Sequence, residues 1–105
     1  EGLKPNIMTV KIQSIHFDAD DKLLQFIEQR VEKLKSYNSD IIDAQVYLRL
    51  DKNDAMSNKI AEIKLIIPGN DLFSKKQCKS FEEAIDQAGE ALRRQLIKRK
   101  EKSTQ

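Results

Sequence analysis

The stretch "KLLQFIEQRVEKLKSYNSDIIDAQVYLRLD", Lys22 to Asp51, changes its hydrophobic period once, and that change sets the fold. Leu23, Phe26, Ile27, Val31 and Leu34 recur at helical spacing. Ile42, Ala44, Val46, Leu48 and Leu50 then alternate with Asp43, Gln45, Tyr47, Arg49 and Asp51. A stripe with a period of about 3.6 is a helix with one buried face, and strict alternation is a strand with one polar face. The spacing predicts a helix over 20–36. "DADD" (Asp18–Asp21) starts it, supplying N-cap oxygens and negative charge where the helix dipole favours both.

Upstream, "VKIQSIHF" (Val10–Phe17) alternates through Val10 and Ile12, then shifts phase near Ser14 to Ile15 and Phe17. It reads as a strand with a bulge. Downstream, "KNDAMSN" is a hairpin loop, and "KIAEIKLIIPG" resumes the alternation through Ala61, Ile63, Leu65 and Ile67. Pro68-Gly69-Asn70-Asp71 has turn composition. "LFSKKQCK" reads as an edge strand whose lysines deter pairing with other chains. Ser80-Phe81-Glu82-Glu83 matches the S-x-x-E capping box. It opens a helix to about Lys102 with Phe81, Ile85, Ala88, Leu92 and Leu96 on one face. The order β-α-β-β-β-α predicts an α+β fold. A right-handed crossover joins two parallel strands, a meander follows, and both helices cover one face of a four-stranded mixed sheet.

The 105 residues read as one domain over 8–105, with 1–7 ("EGLKPNI") an N-terminal extension or cloning remnant ahead of Met8. No apolar run approaches the roughly 20 residues of a membrane span. Cys78 is the only cysteine, which excludes an internal disulfide and fits a cytosolic protein. Nothing points to an enzyme or to a cofactor. There is no P-loop, Gly-rich loop or nucleophile motif. His16 reads as a surface or core-edge histidine, Cys78 as a half-buried thiol without a CxxC partner, and Asp18, Asp20 and Asp21 as capping residues rather than metal ligands.

The formal net charge is only +2, but it is sorted along the chain. Glu82, Glu83, Asp86 and Glu90 open the last helix; Arg93, Arg94, Lys98, Arg99, Lys100 and Lys102 close it. At 100° per residue the row Arg94, Lys98, Lys102 lies beside the buried stripe, with Arg93 and Lys100 on the opposite flank. On the first helix Lys22, Arg30 and Lys33 follow one flank. Two rows on adjacent helices would border a common positive groove, a surface for phosphates. Dipole complementation and solubilisation explain a basic helix end equally well, although the dipole does not account for Lys22 in a first turn. A third reading is a protein-interaction module using the open sheet face or the "LFSKKQCK" edge, with Tyr47, Ile66 and Phe73 as apolar area.

The segment "FEEAIDQAGEALRRQLIKRKEK" resembles the ribosome hibernation-promoting factor family, also named ribosome-associated inhibitor A, protein Y and sigma modulation protein. The matching residues are Phe81, Ala84-Ile85-Asp86, Leu92, Arg94-Gln95-Leu96, Lys98 and Lys100. Arg30, Lys33, Leu34 and Tyr37 match a second pattern, basic-x-x-K-L-x-x-Tyr, on the first helix. The resemblance implies a bacterial cytoplasmic protein of starvation or stationary phase. It would bind ribosomal RNA in the decoding channel of the small subunit, over the A and P sites, and block translation sterically. It would need no membrane and no small-molecule substrate. Arg30, Lys33, Arg94, Lys98 and Lys102 carry over as rRNA contacts; Lys22, in the first-helix row, and Lys100, a residue of the motif, are the further candidate contacts. The family often has Lys where this chain has Ala91. With the chain stopping at Gln105, a short form that is monomeric when free is expected.

Overall fold

The computed structural model describes residues 8–103, with side chains over 8–100; residues 1–7 and the Lys102 side chain lie outside the described residues. The order is β1 (Thr9–Ser14), α1 (Asp21–Glu32) running into a 3-10 turn (Lys33–Ser36), β2 (Asp43–Leu50), β3 (Lys59–Ile66), β4 (Leu72–Cys78) and α2 (Phe81–Ser103). The sheet order is β1-β2-β3-β4. β1 and β2 are parallel, as a crossover through α1 requires, and the other pairs are antiparallel. β4 is an edge strand, as its lysines suggested.

The alternation decides which sheet face is covered. Ala44, Val46, Leu48, Ala61, Ile63 and Leu65 are fully buried in one core with Ile27 and Val31 of α1, Leu34 of the 3-10 turn, and Ile85, Ala88, Leu92 and Leu96 of α2. Each large side chain taken out of water there contributes about 1.5–3 kcal/mol. Both helices start as the sequence predicts. The Leu23 amide donates to Asp20 Oδ1 (2.9 Å), and the Glu83 amide donates to Ser80 Oγ (3.1 Å). No helix among the described residues is long and apolar enough to cross a membrane.

Two expectations are corrected. β1 stops at Ser14 instead of continuing through a bulge to Phe17; His16 takes a left-handed φ of 66° and the chain leaves the sheet. Ile15 and Phe17 break the alternation because Phe17 serves a different contact, stacking on Phe81 with ring centroids 5.1 Å apart. Ile42 and Leu50, at the ends of the β2 alternation, are 52% and 45% exposed. The helices cover only the middle of the strand, and Ile41, just outside it, is buried in place of Ile42.

Candidate nucleic-acid interface

The two helices pack side by side, and the first turns its Arg30–Lys33 flank toward α2. A groove of about 330 Å³ separates them, bounded by Arg30, Lys33 and Tyr37 on one wall and Asp86, Glu90 and Arg93 on the other. Gly89 forms part of the lining, and a Cβ there would meet nothing within 4 Å. Arg30 lies 4.4 Å from the Phe26 ring centroid and is paired with Asp86 across the helices. Arg93 holds Glu90 through both arms of its guanidinium, with Nε donating to Oε1 at 3.0 Å. The Arg93 hydrogen bond, reinforced by the charges of Arg93 and Arg94, keeps the Glu90 carboxyl below its usual range. Glu90, with a smaller contribution from Tyr37, raises the Arg93 guanidinium in turn.

The expected partner of the α1 row is not in this groove. Arg94 and Lys98 lie on the other flank of α2. Arg94 is 65% exposed, 3.6 Å from Glu90, and borders a depression of about 320 Å³ with Lys76. Lys98 borders another depression with Leu72, Asn70 and Arg99 over the β4 end of the sheet. The physical reason is position. A helical wheel fixes the angle between two side chains but not which flank meets the neighbouring helix. Because α2 packs on β3 and β4, the flank it offers α1 is the one with Arg93.

The remaining predicted residues are placed as follows. Lys22 is exposed in the first turn of α1. Lys100 is exposed beside Arg99 and Lys35 around a depression of about 530 Å³ next to the 3-10 turn. Arg99 is tied down, donating to the Asn70 carbonyl at 2.8 Å. Lys22, Lys33 and Lys98 make no ion pair among the described residues. Arg93 was set on the far flank and left out of the candidate contacts, and Lys76 was read together with its β4 neighbours although it shares the covered face with Ser74 and Cys78. The period of two on β4 separates Lys76 from Lys75 and was the available signal.

The arrangement is a broad cationic layer over two rigid helices, with three carboxylate-bearing contacts inside it. Such a surface suits a polyanion rather than a small substrate.

Residues 10–104 match the family model described as sigma 54 modulation protein / S30EA ribosomal protein. The chain belongs to this family. The ribosome hibernation promoting factor of Azotobacter vinelandii is 30% identical over 95 residues, covering 90% of this chain and 85% of that protein. Its Pseudomonas putida namesake is 28% identical over 95 residues, covering 90% and 89%. Among solved structures, a ribosomal subunit interface protein from Coxiella burnetii has a TM-score of 0.79 at 17% identity, covering 89% of this chain and 98% of that one. The Thermus thermophilus Protein Y N-terminal domain has a TM-score of 0.73 at 23% identity, covering 84% and 93%. These two share the S30EA-family fold; at such identity the likeness speaks for architecture alone. The family assignment agrees with the resemblance carried by the Phe81–Lys102 motif.

Proposed function

We propose that this chain is a ribosome hibernation factor that docks its two-helix layer on ribosomal RNA in the decoding channel of the small subunit and stops translation by occupying the A and P sites. The observation that carries the reading is the family match over 10–104, joined to a helix layer lined with cations on both helices. Lys22, Arg30, Lys33, Arg94, Lys98, Lys100 and Lys102 are the proposed contacts, and Arg93 and Lys76 join them. No bond is made or broken in this mechanism. Lys and Arg neutralise phosphates and release condensed counterions, which gives salt-sensitive binding with little sequence readout. A-form RNA offers its backbone and shape, which a rigid pair of helices fits better than a flexible arm. The free protein acts as a cytoplasmic monomer under stress or in stationary phase.

Competition tests the site. Purified small subunits loaded with messenger RNA and initiator transfer RNA should lose both ligands as the protein is titrated in, and preloaded ligands should slow its binding. Simultaneous, undiminished binding of all three would place the protein elsewhere.

A further inference from the structure

The face of the sheet away from the helices carries two adjacent rows. One is Lys11, Gln45, Lys64 and Phe73; the next is Gln13, Tyr47, Glu62 and Lys75. Phe73, at the β4 end of its row, is 54% exposed and leaves an aromatic face open to solvent. Tyr47 is half-buried, its hydroxyl 3.4 Å from Gln45 Oε1, beside a depression of about 300 Å³ between β1 and β2. The carboxylate of the second row, Glu62, is taken by Arg49. Lys11 and Lys75 have no ion pair among the described residues, and Lys64 meets Asp71 only at 4.0 Å.

From this we propose a second interaction surface: the open sheet face binds single-stranded RNA, with bases stacking on Phe73 and Tyr47 and phosphates held by Lys11, Lys64 and Lys75. Strand spacing and rise put the two rings roughly 12 Å apart on a diagonal, a gap that a short run of extended nucleotides spans. Aromatic side chains interleaved with cations on a flat sheet are the general form of a single-strand platform, because every base has a stacking face and every nucleotide a phosphate. Charge complementarity selects RNA over a protein partner. Protein interfaces deplete lysine at their centre and gather apolar groups there, whereas Lys64 sits next to Phe73 on the neighbouring strand and keeps the apolar residues apart. The surface lies on the opposite side of the sheet from the helix layer, so the two can be occupied together.

The test is fluorescence anisotropy with a labelled oligouridylate of about 12 nucleotides, within the usual range of single-strand site sizes. Phe73→Ala should weaken binding roughly tenfold, the effect of losing one stacked base, and Phe73→Trp should retain it. Lys33→Glu, on the helix layer, should change oligonucleotide affinity less than Lys75→Glu does. Phe73 is exposed, so its variants should melt like the parent. Phe73→Ala binding as tightly as the parent overturns the proposal. So does a loss shared equally by the Ala and Trp variants, or a loss produced only by Lys33→Glu. None of these outcomes bears on the helix layer, whose readout is small-subunit binding.

Discussion

The two flanks of α2 hold their positive charge differently. Toward α1, each guanidinium already grips a carboxylate: Arg30 with Asp86, and Arg93 with Glu90. On the outer flank Arg94 stands 65% exposed and reaches Glu90 only at 3.6 Å, and Lys98 has no ion pair among the described residues. The first arrangement fixes side-chain geometry before a polyanion arrives, but the incoming phosphate must displace or share a carboxylate. The second leaves its charge more exposed and less neutralised. Preorganisation and available charge are thus divided between two sides of one helix.

The largest expected effect comes from reversing the outer flank. Arg94→Glu with Lys98→Glu should leave the melting temperature unchanged, since neither side chain is in the core, while small-subunit binding at moderate salt collapses. Its salt slope should fall by roughly two, one for each phosphate contact removed. Pelleting at the parent level would remove this flank from the interface.

The groove should respond in a way the outer flank cannot. Arg30→Ala leaves Asp86 as an unpaired negative charge in the proposed docking groove, so its loss of small-subunit affinity should exceed that of Lys33→Ala. Adding Asp86→Asn to Arg30→Ala should then restore part of it. An exposed ion pair of this kind contributes at most about 1 kcal/mol to folding, so melting temperatures should barely move. Equal losses for the single and double variants would mean that Asp86 plays no part in the charge balance. Both series are read as affinity against salt.

How much of this was legible in the sequence depends on whether a signal was local. The boundaries of α2 followed from Ser80 and Glu83 at one end and from the Phe81–Leu96 stripe, because capping and periodicity are properties of a single segment. The end of β1 did not. Ile15 and Phe17 look like strand residues out of phase, but the Phe17 ring serves the Phe81 contact, made with a partner more than sixty residues away. The basic residues proposed as contacts were read by type, and the α1 flank of Arg30 and Lys33 does face α2. The direction of the α2 row was not legible, since it depends on α2 packing over β3 and β4. Arg93 was the cost of that ambiguity.

Two smaller tests sharpen the division. Ala91 is half-buried on the outer flank, beside Arg94 and Lys98. Ala91→Lys should steepen the salt slope by roughly 0.7–0.9 with little loss of helix propensity. An unchanged slope with a stable fold would mean that position 91 faces away from the RNA. Gly89 lies in a helix interior with open space at its Cβ position. Gly89→Ala should stabilise the fold by about 0.5–1 kcal/mol in denaturant unfolding. Destabilisation would show that the groove closes more tightly than its geometry implies.

The smallest effect is on pH. Because the Arg93 hydrogen bond lowers the Glu90 carboxyl, the contribution of Glu90 to stability is present above the ordinary carboxylate range and is lost as pH falls through the depressed value. The melting-temperature gap between the parent and Glu90→Gln should therefore narrow from neutral pH to about pH 3. A gap that widens on acidification would reverse the sign of the coupling.

The most direct measurement is the affinity of the unmodified protein for purified small ribosomal subunits across a salt series. Binding through phosphates predicts a straight line of log affinity against log salt, falling by roughly 0.7–0.9 for each phosphate neutralised and so with a slope of several units. Tight binding that is indifferent to salt would contradict the cationic helix layer as the docking surface.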